Sequence, residues 1–379
     1  MDQGGVGMIS GQEFIKRFEA YCPLWLAEEG DPVGLHVGTL NKPLERVMMT
    51  LDVRPEVVTE AIEKKIDLII AKHPPIFRPL NRLLTDDPQQ KMLMDLVKHD
   101  IAVYAAHTNM DIIEDGLNDW FCELLEVEPD TYLKQTHQVK MKKLAVFTPV
   151  ESAPALRKAL GKAGAGQQGN YQNTSYSLIG TGRFTPQQAA HPAIGEIGKE
   201  EQVQEAKIEV IFPETIEKKV LSAMIAAHPY EEPAYDLYAL DNLPKTYGIG
   251  RVGNLAEPLS LDQFVARVKE RFGLIALRVV SFPNAPEKIQ RIAICGGSGQ
   301  SFYSDALRHQ ADVYITGDIS YHFAHDMQAN GLIGIDPGHN IEKECIPRFI
   351  EKFNQWKAEE NWAVTFVPST TSTNPFDYR

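Results

Sequence analysis

The sequence predicts an α/β protein: two similar halves with mainly parallel sheets around a central cleft, plus an inserted βαββαβ ferredoxin-like domain. Three observations carry that expectation. Apolar runs of strand length alternate with amphipathic helical stretches near both ends of the chain. A stretch in the first half aligns without a gap to one in the second. Residues 140–240 interrupt the alternation with a different order of elements.

RVMMTLDV (46–53) reads as a buried strand, and RPEVVTEAIEKK (54–65) then puts Val57, Val58, Ala61 and Ile62 on one helical stripe. IDLIIA (66–71) is strand again, so the unit is βαβ and demands parallel pairing with a right-handed crossover. DPQQKMLMDLVKHD supplies the next helix, with Asp87 as its N-cap and Pro88 in its first turn. IAVYAAH (101–107) is a third strand, and it ends in histidine as the second one does.

Residues 46–73 lie on 291–318, with Arg46 matching Arg291, Ala61 matching Ala306, Asp67 matching Asp312 and Ile70 matching Ile315. In this register His73 falls on Asp318, each at the carboxyl end of its strand. Downstream, each half offers another strand that runs into a histidine followed by a carboxylate. These are AAHTNMD (His107, Asp111) and IDPGHNIEKE (His339, Glu342).

Between the halves, MKKLAVFTPV, NTSYSLIGTGRFTP, EQVQEAKIEVIFPE and AYDLYAL read as strands, while ESAPALRKALGKAG and TIEKKVLSAMIAAH read as helices. GRFTPQQAAHPAIG is a mobile connection. The expected divisions are 1–139 for the first half, 140–240 for the insert and 241–379 for the second half.

Bulk properties narrow the function. The chain has 379 residues, a formal net charge of -13, 43% hydrophobic and 23% charged residues, an ordinary globular composition. The acidic excess disfavours a nucleic-acid groove. Cys22, Cys122, Cys295 and Cys345 are far apart and form no CxxC pair, which disfavours a structural zinc knot or a disulfide framework. Reduced thiols, a start (MDQGGVGMIS) without signal-peptide character and no apolar run of membrane length together predict a cytoplasmic protein.

Ligands of open parallel sheets bind outside the carboxyl ends of the strands. His73, His107, Asp111, Asp318, His339 and Glu342 all occupy such ends, and His322 and His325 follow on the helix that ISYHFAHD begins. Imidazole with carboxylate suits zinc, manganese or iron, and a carboxylate such as Asp111 can bridge two cations. Pro74 and Pro75 would stiffen the turn that aims His73 into the cleft. CGGSG (295–299) could cradle phosphate at a helix start, but it lacks a P-loop lysine, and tight packing explains its glycines equally well. HPYEEP in the insert reads as a capped helix end with solvated acids. TSTNPF (371–376) reads as a polar loop tucked by Phe376, with no chemistry assignable from its spacing.

GDPVGLHVG, KHPPIF, AAHTNMD, CGGSG, TGDISYHFAHD and DPGHNIEKE together resemble the NGG-one-interacting-factor-three-like family, whose members are often labelled GTP cyclohydrolase I type 2 homologues. The insert, down to HPYEEPAYD, resembles the extra domain of the longer bacterial members. The resemblance implies a hexameric ring whose inserts cover the openings, with a di-metal site, zinc first, held by His73, Asp111 as the bridge, His339 and a following carboxylate, Glu342 in preference to the nearby Glu344. His322 and His107 would line the site and move protons. One departure stands out: Lys72 occupies a place where the family usually has a first histidine, which leaves the second metal weaker, differently held or missing. The implied function is metal-dependent hydrolysis of a nucleotide or similar small molecule. The alternative is a non-catalytic metal-binding hexameric scaffold or regulatory protein whose insert binds a ligand or partner.

Overall fold

The computed structural model describes residues 7–377. The first six residues, and with them the expectation placed on the start of the chain, lie outside the described residues. The chain divides into two compact units: one takes residues up to Thr136 and from Tyr247 onward, and the other is His137–Thr246. Among the described residues no helix is long and apolar enough to cross a membrane.

The larger unit is mixed α/β and holds two principal sheets. One runs Thr365–Pro368, Arg46–Thr50, Leu68–Ala71, Ala102–Ala105, Gly34–Val37, parallel except for the last strand. The other runs Arg278–Val280, Ile333–Asp336, Val313–Ile315, Ile289–Ile294, Arg251–Leu259, Val127–Thr131. Its three central strands are parallel and its flanking strands antiparallel. Each sheet therefore contains the same three-stranded parallel core. The central strands are apolar throughout because helices cover both faces of such a core.

The duplication extends to individual hydrogen bonds. Val47 pairs with Leu68 and Ile292 with Val313, the register the alignment requires. Asp67 Oδ2 accepts from the backbone N–H groups of Glu45 and Arg46 at 2.7 and 2.8 Å. Asp312 Oδ2 accepts likewise from Gln290 and Arg291, both at 2.8 Å. Arg46 donates to the Lys64 carbonyl at 3.0 Å and Arg291 to the His309 carbonyl at 2.8 Å. The residues after those carbonyls, Lys65 and Gln310, are both left-handed, with φ of 54° and 55°. The two halves therefore agree beyond what strand-helix-strand geometry imposes, because that geometry alone does not fix where side chains cap the backbone.

The halves are not separate in sequence. Val127–Thr131 leaves the first half to edge the second sheet, and Thr365–Pro368 returns from the end of the chain to edge the first. The helix Cys345–Glu360 brings Phe349 and Phe353 against Phe18 and Phe14, with ring centroids 5.2–6.0 Å apart. All four cysteines are free and buried, and burial pushes their thiols up, as expected for reduced core residues.

In the smaller unit, elements follow the chain order strand, helix, strand, strand, helix, strand. The sheet runs Tyr235–Ile249, Lys134–Pro149, Glu201–Pro213, Tyr176–Phe184, so the strands lie in the order fourth, first, third, second. Ala206, Ile208, Val210 and Phe212 point to one face, the period-two pattern of a half-buried strand. Leu156 and Leu160 of Ala153–Lys162, with Val220 and Met224 of Glu217–Ala227, cover that face.

Directly after Thr365–Pro368, residues 369–371 are fastened by the carboxylate of Glu60. Glu60 accepts from the hydroxyls of Ser369, Thr370 and Thr371 at 2.7, 2.9 and 2.7 Å, and from the N–H groups of Thr370 and Thr371 at 2.9 and 3.3 Å. Lys64 adds an ion pair at 2.6 Å. Burial opposes the charge, but these donors outweigh it and hold the carboxyl well below the ordinary value of 4.5. A depressed folded-state value contributes stability above the unfolded value, which is lost as pH falls. Glu60→Gln is therefore expected to lower stability at pH 7 by roughly 1–3 kcal/mol. It should also flatten the loss of stability below about pH 4.5, the ordinary glutamate value. Thermal unfolding across pH checks both; an unchanged acid limb contradicts the assignment.

Candidate metal centre

Each candidate ligand sits just past a strand of the larger unit. His73 follows Leu68–Ala71, and its N–H is tied to the Leu51 carbonyl at 2.8 Å. His107 follows Ala102–Ala105 and precedes the short helix Thr108–Ile112, which carries Asp111. His339 and Glu342 share the 3₁₀ turn His339–Glu344 after Ile333–Asp336.

His73, His339 and Glu342 converge. One ligand atom from each lies within 4.8 Å of the other two, and among the described residues no other trio of His, Cys, Asp or Glu does this. His73 Nε2 is 2.8 Å and His339 Nε2 is 3.2 Å from Glu342 Oε2, and the two Nε2 atoms are 3.2 Å apart. The other ring nitrogens are engaged on carboxylates: His73 Nδ1 with Asp52 at 2.7 Å, and His339 Nδ1 with Asp318 at 2.7 Å. A carboxylate on Nδ1 fixes the proton there and leaves the Nε2 lone pair facing inward. Three acceptor atoms then meet at hydrogen-bond distance, an arrangement that is repulsive until a proton or a cation sits among them.

The titration of the rings expresses the same demand. Hydrogen bonding to Glu342 is the largest influence on His339 and pushes it up to about 9 against the effect of burial. Burial opposes the charge on His73, but Asp52 and Glu342 outweigh it and raise the ring as well. Burial would raise Glu342, yet Lys72 and the two imidazoles hold it well below the ordinary range.

Lys72 is 1% exposed. Its ammonium lies 2.9 Å from Asp111 Oδ2 and 3.5 Å from Glu342 Oε1. Burial would drive the proton off, but the two carboxylates overcome it and hold the amine charged. Asp111 is raised by burial against the pull of Lys72, and its Oδ1 is buried without a partner. The residues fit a divalent cation: two imidazoles and a carboxylate with ligand atoms this close are a donor set that could hold one.

Glycines wall the centre. Gly297 has φ +63°, and a Cβ there would stand 3.0 Å from Glu342 Oε1; at Gly317 it would stand 2.9 Å from the His339 nitrogen. The N–H of Gly296 donates to Asn118 Oδ1 at 2.9 Å, and that of Gly299 to Thr316 Oγ1 at 2.8 Å. CGGSG thus serves close packing against the centre, and these two amides already have partners inside the protein.

The structure separates the other expected residues. His107 lies beside His73, its ring 5.7 Å away, with Nδ1 on Asp31 at 2.7 Å. Asp111 reaches the centre through Lys72. His322 is exposed near the start of Tyr321–Ala329, against the edge of Tyr321. His325 packs on the same tyrosine. Sequence reasoning overlooked Asp52 and Asp31 as imidazole partners. Neither carries a spacing signal as an imidazole partner: Asp52 stands two residues past Arg46–Thr50 and Asp31 opens DPVG, and only the fold brings them to His73 and His107. In the smaller unit His228 caps its helix, with Nε2 on the Phe147 carbonyl at 2.8 Å, which agrees with the capped-end reading of HPYEEP.

Comparison with known proteins places this geometry. A Bacillus subtilis protein called "GTP cyclohydrolase 1 type 2 homolog" is 44% identical over 370 residues, 98% of this chain and 99% of its own. The crystal structure of a Bacillus cereus protein related to NIF3 superposes with a TM-score of 0.91 at 42% identity, covering 98% of this chain and all of that one. A Staphylococcus aureus structure matches with a TM-score of 0.78 at 27% identity over 98% of this chain and 99% of its own. The model of the family described as Duf34/NIF3 (NGG1p interacting factor 3) matches residues 9–375, and the chain belongs to that family.

Proposed function

We propose that this chain is a metal-dependent hydrolase acting on a nucleotide or similar small molecule, with one divalent cation held by His73, His339 and Glu342. The observation that carries the reading is the meeting of three acceptor atoms, two of them on imidazoles already fixed from behind by carboxylates. The name borne by the relatives supports a nucleotide as substrate. Zinc suits the donor set best. A cation in that position supplies Lewis acidity, polarising the bond under attack and lowering the pKa of water beside it.

The chain's own residues do the rest. Asp52 and Asp318 orient the two imidazoles. Lys72 supplies a permanent positive charge between Asp111 and Glu342, the place where the resemblance implied a second metal, and it keeps Asp111 near the centre. His107, braced by Asp31, is the nearest further imidazole and is assigned the proton transfer at its Nε2. His322 is assigned to the rim, where it would meet substrate.

The smaller unit is read as ferredoxin-like from its strand order. A cavity of about 440 Å³ there, lined by Phe147, Phe184, Tyr230 and Glu205, favours a second reading in which the insert senses a ligand and the ring is regulatory. Removing 140–240 separates the two readings: an enzyme keeps turnover, whereas a sensor loses its ligand response. The hexamer implied by the family resemblance is tested by light scattering. About six times the chain mass of 42.4 kDa supports it, and a monomer mass removes it.

His339→Ala or Glu342→Ala should abolish both bound metal and hydrolysis of GTP, while Asp52→Asn or Asp318→Asn should weaken metal affinity by roughly 10–100-fold. Elemental analysis checks both; full metal content in Glu342→Ala contradicts the centre. Lys72→His should raise the metal content from about one towards about two per chain. Lys72→Met should cost roughly 3–5 kcal/mol, because it leaves the buried carboxylate of Asp111 without its cation. Two metals per chain in the unaltered protein would contradict the role given to Lys72.

A further inference from the structure

We propose that Arg54 and Lys343 form a subsite for a phosphate-class anion on the substrate, whose planar body rests against Phe376. The inference deepens the hydrolase reading and rests on it. A cavity of about 510 Å³ opens onto His73 and His339, within the size range of small-molecule sites. Its wall carries acids and bases in unequal states. Asp52 holds His73 and accepts from the Thr373 hydroxyl. Asp318 holds His339 and accepts from the Ser298 hydroxyl. Asp377, also on the wall, is engaged as well. Arg54 and Lys343 line the same cavity, and neither side chain makes an ion pair or hydrogen bond with any described residue.

In a chain of net charge -13, whose cavity-wall aspartates already hold closer partners, these two exposed cations act on Asp52 and Glu344 only through space and keep their donors free for an incoming anion. A doubly charged phosphate group matches a guanidinium and an ammonium together, and a single carboxylate matches only one. Their placement is tied to the centre. Arg54 stands two residues past Asp52, and Lys343 directly follows Glu342 in the turn His339–Glu344. Arg54 ends the short connection that carries Asp52 and caps Pro55–Glu63, so both cations sit on the segments that carry the centre's own residues.

Part of the remaining wall is apolar, beside Asn340, Thr373 and Asn374. Phe376 is 67% and Ile275 79% exposed, and both line the cavity with Leu274. An aromatic ring left in solvent beside a polar centre offers a stacking face for a heterocycle. The tail that carries Phe376 is fastened twice, by Glu60 at 369–371 and by Asp52 at Thr373. TSTNPF thus acquires a role that its spacing did not show: it is one wall of the site.

The test is titration calorimetry of the protein as purified with GTP, inorganic tripolyphosphate and guanosine, with metal content measured on the same samples. The unaltered protein should bind GTP and tripolyphosphate, and guanosine about tenfold more weakly than GTP. R54Q/K343Q should lose about tenfold or more in affinity for both anions while keeping guanosine affinity and metal content. R54K/K343R should retain most of the anion binding, which separates lost charge from lost folding. If the unaltered protein binds no tripolyphosphate, or if R54Q/K343Q binds it equally well, the subsite is overturned. Failure of the hydrolase reading shows separately, as absent metal or absent turnover in the unaltered protein, and leaves the tripolyphosphate comparison intact.

Discussion

The centre rests on one electrostatic constraint: two imidazole nitrogens and a carboxylate oxygen occupy a space where none of them can donate to the others once Asp52 and Asp318 have fixed the ring protons. Two of the contacts are 3.2 Å and the third is 2.8 Å, so the repulsion is not relieved by distance. Only positive charge relieves it. The glycine at 297, the close approach at 317 and the buried ammonium of Lys72 all go with holding those atoms together beside an open cavity.

The duplication explains how such a site arises without symmetry. Both halves place a polar side chain at the end of the second parallel strand, but the roles have diverged. In the first half that position is His73, which points its Nε2 inward; in the second it is Asp318, which stands behind His339. The residue before it is Lys72 in one half and Gly317 in the other. An ammonium fills the first place, and His339 passes within contact distance of the second. Equivalent strand ends thus carry an imidazole beside an ammonium in one half, and a supporting carboxylate beside a gap in the other.

Much of this was legible in the sequence because strand ends are marked twice, by the loss of apolar periodicity and by the turn residues that follow. His73, His339 and Glu342 were found that way, as were the paired strands and the gap-free register between the halves. Asp52 and Asp31 were not, because a carboxylate supporting an imidazole carries no spacing signal of its own; only the fold brings residue 52 to residue 73 and residue 31 to residue 107. The exchange of edge strands was also hidden. Nothing local in VEPDT or TFVP says which of two similar sheets it will complete. His322 stood in a motif whose helix turns it outward, a distinction that helical spacing alone does not make.

The most direct test of the account is anomalous diffraction, collected above and below the zinc edge, from crystals grown without added metal. The account predicts one peak per chain, bounded by His73 Nε2, His339 Nε2 and the Glu342 carboxylate, with the Lys72 ammonium still between Asp111 and Glu342. A map with no peak there, or one showing a metal in the place given to Lys72, would contradict it.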